Sequence, residues 1–148
     1  MREILFRGKR IDNGEWIEGY YVETVDYRTD SAVHLIIELP STFYPRGEIA
    51  GEYEINSSTI GQYTGLTDKN GKKIFEWDIL KIHYTTELFG ETLSTQYNAL
   101  VMFEDGCNVA KGIFDGAELV GDLSAFSNDE VEVIGNIHDN PELLEEKE

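Results

Sequence analysis

The sequence predicts an all-β protein, because turn signals recur along the chain with strand-length apolar or alternating stretches between them. Residues 97–103 show the alternation clearly, with Tyr97, Ala99, Val101 and Phe103 on one predicted face. Only the C-terminal tail looks helical. The turn signals are Asp12-Asn13-Gly14, Asn70-Gly71, Glu104-Asp105-Gly106, Asp115-Gly116 and Ser127-Asn128-Asp129.

The N-terminal part is predicted to form a small β lobe. Residues 2–23 surround the first turn and predict a hairpin. The apolar run 33–39 predicts a buried strand that stops at Pro40, which lacks the N–H that a ladder needs. Residues 41–51 contain proline and glycines without periodicity and predict a loop between two lobes. The predicted division is an N-terminal β lobe, 1–58, and a second lobe, 59–148.

The most informative segment is 60–80, which predicts a β-hairpin. Asn70-Gly71 supplies two residues that readily take positive φ, and apolar arms stand on either side at 63–66 and 74–80. The predicted packing residues of this hairpin are Tyr63, Leu66, Ile74 and Phe75.

Three strands and a short helix are predicted around and after this hairpin. Residues 79–84 and 97–103 have strand composition, and a Thr- and Glu-rich connection separates them. Residues 131–138 alternate as a last strand, in which Gly135 marks a bulge or a close backbone approach. The segment 140–142, Asn-Pro-Glu, has the cap, first-turn proline and acidic residue of a helix start.

Composition predicts a globular protein of the reducing cytoplasm. Hydrophobic residues make up 41% of the 148 residues, and the single cysteine, Cys107, cannot form an intramolecular disulfide. The first ten residues lack an apolar stretch of signal-peptide length. No run approaches the roughly eighteen apolar residues of a membrane span, so no membrane association is expected.

The net charge of −17 disfavours direct nucleic-acid binding, because an acidic surface repels phosphates at long range. The excess is concentrated late in the chain, where only Lys111 and Lys147 are basic beyond residue 83, against fifteen acidic residues. Two interpretations stay open: a solvated acidic surface, or mimicry of a polyanion.

Five side chains are candidates for acid–base or metal chemistry, but their spacing matches no known template. They are Glu76, Asp78, His83, His138 and Asp139. His34 lies far from the other histidines in sequence, and Cys107 follows acidic residues rather than an activating base. A structural role is the favoured interpretation for all of them. No catalytic residue, cofactor or metal is therefore predicted.

One basic–aromatic cluster stands out near the start, formed by Arg7, Lys9, Arg10 and Trp16. Such a cluster can contact a partner surface or stack on nucleic-acid bases. Core and inter-lobe packing of the aromatic residues is the favoured interpretation.

Several motifs match a known family. They are Phe6-Arg-Gly-Lys-Arg, Asn13-Gly-Glu-Trp, the run Ile60-Gly-Gln-Tyr-Thr-Gly-Leu-Thr-Asp-Lys-Asn-Gly-Lys-Lys-Ile-Phe-Glu, and Glu132-Val-Ile-Gly-Asn-Ile-His-Asp-Asn-Pro-Glu-Leu-Leu. On these residues the chain resembles the YopX family of phage and prophage proteins. The resemblance implies an all-β fold whose C-terminal part is an SH3-like barrel with a short helical tail, in a bacterial cytoplasm. It implies no activity, because the family has no established activity to carry over.

The chain departs from the family pattern at Trp77, where the family usually has glycine between Glu76 and Asp78. A glycine there usually serves a turn with positive φ, which Trp cannot adopt without strain. Either the backbone at Trp77 is ordinary, or the indole occupies a surface that glycine leaves open. We expect an exposed or interface Trp. With Trp16, Arg7, Lys9 and Arg10, it forms the predicted interaction surface.

Three functions follow as hypotheses. The first is a non-catalytic accessory protein, a β-rich module that binds another protein or a second copy of itself. The second is an acidic nucleic-acid mimic that inhibits a host DNA- or RNA-binding protein. The third is a metal-assisted hydrolase that uses Glu76, Asp78 and either His83 or His138.

Overall fold

The computed structural model describes residues 3–38 and 51–145. Within these residues the chain is all-β, as predicted: its elements are strands and 3₁₀ turns of at most four residues. The chain divides between Tyr63 and Thr64 into two compact units, where the sequence suggested a boundary after residue 58.

The first unit is an antiparallel sheet built on the N-terminal hairpin. Phe6 pairs with Gly19 and Lys9 with Trp16, which confirms that hairpin. Ile36 is the buried residue of the predicted run 33–39, and the end of that run and the predicted loop up to residue 50 lie outside the described residues. The strands, in the spatial order β4-β3-β2-β1-β5, are β1 (Phe6–Lys9), β2 (Trp16–Asp26), β3 (Ser31–Glu38), β4 (Gly51–Glu54) and β5 (Gly61–Thr67).

The second unit contains a five-stranded antiparallel sheet with its core on one face. Tyr97, Ala99 and Val101 are at most 8% exposed, as their alternation predicts, whereas Phe103 on the same predicted face is 55% exposed. Strand β5 continues into this unit and pairs there with β6 (Lys73–Phe75). The sheet, in the order β10-β9-β8-β7-β11, consists of β7 (Asp78–Leu88), β8 (Glu91–Glu104), β9 (Cys107–Phe114), β10 (Ala117–Asp122) and β11 (Val131–Asn136).

The predicted connection between residues 84 and 97 is in fact a long hairpin. Strands β7 and β8 pair through ten register positions, from Ile79↔Leu100 to Leu88↔Glu91. Threonine is a good strand former despite its polarity. The Thr-rich segment between residues 84 and 97 can therefore form strands although neither of its faces is buried. The apolar alternation on which the prediction relied is absent from it.

The hairpin at 60–80 forms, but its turn is not the predicted two-residue one. A five-residue loop, 68–72, joins β5 to β6, and within the 68–72 loop only Gly71 has positive φ, at 76°. The carboxylate of Asp68, 2% exposed, shapes the loop: Oδ1 accepts the N–H groups of Asn70 and Lys72, each at 2.9 Å. Oδ2 accepts the N–H of Val133 on β11, also at 2.9 Å.

Burial raises the pKa of Asp68, but the bonds from those three N–H groups outweigh it, so the net pKa is below its ordinary value. The carboxylate is therefore ionised at neutral pH and ties the loop to the last strand.

The last strand and the tail differ in how far they follow the prediction. The register of β11 against β7 shifts between Val133 and Gly135, which confirms the bulge. A Cβ at Gly135 would also lie 2.5 Å from Oδ1 of Asn140, so the close approach is confirmed as well. Asn140 accepts a 3.4 Å bond from the N–H of Asn136 and makes no helix-capping bond. The predicted C-terminal helix is consequently a single 3₁₀ turn, Pro141–Leu144.

Both sheets are open in the part of the chain that the structure describes, since each ends in strands with a single neighbour. None of the described helical segments has the length and apolarity to cross a membrane.

Candidate interaction surfaces

The N-terminal basic–aromatic cluster assembles around Trp16. Arg7 and Lys9 alternate on β1, so their side chains share a face, and Lys9 pairs directly with Trp16 of β2. The Cζ atom of Arg7 lies 4.8 Å from the indole centroid, and Nζ of Lys9 lies 5.5 Å from it. Both cations therefore stack on the Trp16 ring within the cation–π range. Three of the four residues of the predicted cluster therefore lie together in the first unit.

Arg10 belongs to a different contact. Its guanidinium makes two bonds to the carboxylate of Asp12, at 2.9 and 2.6 Å, and lies 4.1 Å above the ring of Tyr53. This hydrogen bond is the main reason why the pKa of Asp12 is lowered. A concavity of about 560 Å³ opens beside Lys9 and Arg10, with His34 on its wall. Because Asp12 neutralises Arg10 locally, Arg10 adds little to the attraction of a phosphate backbone.

Trp77 does adopt the conformation that glycine provides in related sequences. Its φ is 71°, so the first of the two alternatives, an ordinary backbone, is wrong. Two hydrogen bonds hold this backbone in place: the N–H donates to the carbonyl of Val101 at 2.8 Å, and the carbonyl accepts the N–H of Ile137 at 2.9 Å. The side chain is half-buried, between the core and the exposed position that the sequence suggested. These bonds turn the chain between β6 and β7. The apolar arm 74–80, which the sequence predicts as one strand of the hairpin, is therefore divided between these two strands.

The candidate catalytic residues near Trp77 serve the fold in different ways. Asp78 is 1% exposed and its Oδ2 accepts the N–H of Phe75 at 2.8 Å, so it fixes the turn from inside. His83 is exposed and its Nε2 lies 2.8 Å from Oγ of Ser94. Asp78 and His83 are five residues apart on one strand, so they point to opposite faces and do not converge on one ion.

The other candidates give no metal geometry either. The N–H groups of His138 and Asp139 donate to Oδ1 of Asn136, at 3.0 and 2.9 Å. Residues 3–38 and 51–145 contain no group of three or more His, Cys, Asp or Glu side chains arranged to hold a metal ion. Cys107 is half-buried and its thiol donates to the carbonyl of Glu104 at 3.4 Å.

Two hairpin tips carry exposed aromatic residues that the sequence reasoning did not single out. In the β7–β8 hairpin, Phe89 is 98% exposed, with Leu88 and Leu93 about half exposed beside it. In the β2–β3 hairpin, Tyr27 is also 98% exposed. The available signal was the dipeptide Phe89-Gly90 between two Thr- and Glu-rich arms, where a turn dipeptide is expected to be polar.

The turn at Phe89 is strained as well as exposed. Phe89 and Gly90 have φ of 50° and 81°, the pair of positive values that a type I′ hairpin turn requires. Asn normally occupies the first of these positions, because a bulky residue there costs about 1–2 kcal/mol. Phe89 therefore opposes folding through its backbone and gains almost nothing from burial.

Comparisons with known proteins place the chain among relatives. A family model described as "YopX protein" matches residues 5–145. A crystal structure of protein EF1440 from Enterococcus faecalis is similar over 98% of this chain and 100% of that one, with 29% identity and a TM-score of 0.55. The search of curated proteins found no match.

Proposed function

We propose a function for this chain, which belongs to the YopX family: it is a non-catalytic phage or prophage accessory protein that binds another protein. In this proposal it acts in the bacterial cytoplasm as a β-rich interaction module, without a cofactor, and its second unit is of the SH3-like class. The partner is a different protein or a second copy of the chain.

The observation that carries this proposal is Phe89. An aromatic side chain that is 98% exposed at the tip of a ten-pair hairpin is a typical anchor for a partner pocket. Its φ of 50° adds backbone strain, and strained residues concentrate at functional positions. Leu88 and Leu93 extend the apolar tip on both strands.

The test uses the variant Phe89→Asn, since Asn tolerates the same φ and no burial is lost. Wild type and variant are compared by size exclusion with light scattering, then as baits in bacterial lysate. We expect a dimer or a retained partner that disappears with Phe89→Asn and persists with Tyr27→Asn, the matched exposed aromatic of the other hairpin. A strictly monomeric protein that retains the same material with and without Phe89 would refute the proposal.

The acidic second unit supports a second candidate, mimicry of a nucleic acid. Two of its few basic residues are already paired, Lys69 with Glu132 at 3.0 Å and Lys111 with Glu104 at 2.6 Å. The remaining exposed carboxylates define a negative surface. Mimicry predicts competition with DNA for a host protein that weakens steeply with salt; competition that ignores salt would exclude it. The hydrolase hypothesis requires Asp78 and a histidine to bind one metal ion. Because Asp78 and His83 lie on opposite faces of β7, the version of this hypothesis that uses His83 has no support.

A further inference from the structure

Among residues 3–38 and 51–145, strand β10 lies at an open edge of the five-stranded sheet and pairs with β9 alone. The turn between them is Asp115-Gly116, with φ of 51° and 76°, which is a two-residue type I′ turn. Phe114 and Ala117 flank this turn and are therefore the hydrogen-bonded pair. Since bonded and non-bonded pairs alternate along an antiparallel ladder, the residues whose backbone groups point away from β9 follow directly. They are Glu118, Val120 and Asp122.

The free edge thus has a defined set of donors and acceptors. Glu118 and Val120 each direct an N–H and a C=O outward. Asp122 is the N-cap of the 3₁₀ turn Leu123–Ala125, so its C=O takes the first bond of that turn and only its N–H is available. This is enough to pair with a short extended segment.

The same three residues place their side chains on one face, because they alternate along the strand. Val120 is 53% exposed and lies between the exposed carboxylates of Glu118 and Asp122. The nearby cation, Lys111, pairs with Glu104 at 2.6 Å. The edge therefore presents an acidic, apolar, acidic sequence of side chains.

These charges decide which occupant fits. Two copies of β10 paired antiparallel about Val120 would set Glu118 of each chain opposite Asp122 of the other. Like charges directly opposite each other destabilise a strand pair, so the edge opposes pairing with itself. Basic side chains on an incoming strand would instead be attracted, and the net charge of −17 favours such a partner at long range.

We propose that β10 accepts an extended segment of a partner protein as an added strand, with basic side chains opposite Glu118 and Asp122 and an apolar one between them. This rests on the proposed function, protein binding, and names the chemical class of the partner. Main-chain bonds supply the affinity, and alternate side chains supply the specificity.

The first test measures binding of the labelled peptide acetyl-Thr-Arg-Thr-Val-Thr-Arg-Thr-amide by fluorescence anisotropy at near-physiological salt. We expect saturable binding to the wild type and none of the same peptide with Glu in place of Arg. Val120→Pro removes an outward N–H without breaking the bonds to β9, so it should keep its melting temperature and lose about tenfold or more in affinity. Equal binding to wild type and Val120→Pro, no binding of the basic peptide, or an unfolded Val120→Pro would each overturn the proposal.

The second test needs no peptide. Glu118→Lys converts the antiparallel self-pairing into two Lys–Asp pairs, so this variant should form a dimer by light scattering under conditions in which the edge of the wild type does not pair. Adding Val120→Pro to Glu118→Lys should restore the behaviour of the wild type. A Glu118→Lys variant that never dimerises shows that the edge is closed to pairing.

The outcomes also separate this edge from the Phe89 tip. If the peptide still binds Phe89→Asn, and no retained partner depends on Phe89, only the proposal that Phe89 anchors a partner is refuted. If a partner depends on Phe89 but no peptide binds at β10, only the proposal that β10 accepts an added strand is refuted.

Discussion

Replacing Trp77 by glycine or by alanine separates the two roles that the structure gives this residue, a strained backbone and a half-buried indole. A left-handed backbone costs an L-residue about 1–2 kcal/mol relative to glycine. A tryptophan side chain buries on the order of 200 Å² when fully enclosed. At about 25 cal/mol per Å², the buried part of that area, which is the larger part, contributes roughly 3–4 kcal/mol.

Both variants lose the indole, but only Trp77→Gly relieves the backbone. Trp77→Ala is expected to lose roughly 3–4 kcal/mol of unfolding free energy. Trp77→Gly regains about 1–2 kcal/mol from the relaxed φ and loses about 0.5–1 kcal/mol to the greater freedom of its unfolded chain. Glycine should therefore be the more stable replacement, by roughly 0.5–1 kcal/mol.

The assay is urea unfolding followed by circular dichroism, which does not depend on the tryptophan removed. Trp16 provides the matched control, because it is also half-buried and lies in strand β2. At Trp16 the order should reverse, with alanine more stable than glycine by about 0.5–1 kcal/mol. A Trp77→Ala variant as stable as Trp77→Gly, or more so, would refute the assignment of strain to this backbone.

Three further predictions concern other sites. Asp68→Asn should destabilise the protein by about 2–3 kcal/mol at neutral pH, because it weakens three bonds to a buried anion. Since the folded pKa of Asp68 lies below the unfolded value near 4, its contribution to stability is present above that value and is lost as pH falls through the folded pKa. The slope of the unfolding free energy against pH, measured downwards from about pH 4, should therefore flatten in Asp68→Asn, and an unchanged slope would contradict this. Gly135→Ala should cost about 1–3 kcal/mol through its contact with Asn140, and Asn140→Ala in the same chain should recover part of the loss in a double-mutant cycle; strictly additive effects would rule out the contact. Phe89→Asn should raise the unfolding free energy by about 0.5–1 kcal/mol, and a decrease would show that the exposed ring packs on its own chain.

The fold could be predicted from the sequence where a local pattern has one structural solution. Alternation at 97–101 gives the buried face of β8, and Gly135 gives the bulge in β11. The prediction failed where a long-range polar contact decides the conformation. The turn at 68–72 looks like an Asn-Gly hairpin locally, but the Asp68 carboxylate reaches Val133, 65 residues along the chain, and selects a wider loop.

The candidate surfaces divide in the same way. Arg7, Lys9 and Trp16 could be grouped because cross-strand neighbours in a short hairpin follow from its turn. The exposure of Phe89 was harder to predict, since an apolar residue between strands is more often buried. Its exposure follows from the length of the β7–β8 hairpin, and polar strands carry no periodic signal of that length.

Trp77 and Phe89 share a backbone conformation that disfavours aromatic residues, but the structure gives the two rings different surroundings. The ring of Trp77 is half-buried and repays part of its strain within the chain, whereas the ring of Phe89 is 98% exposed. If strain is tolerated for binding only where the ring is free to reach a partner, Trp77→Gly should lower stability and leave partner retention unchanged. Phe89→Asn should do the reverse, with higher stability and lost retention. Measuring both properties on both variants tests the link between strain and binding, and a loss of retention with Trp77→Gly in a fully folded protein would extend the contact surface to Trp77.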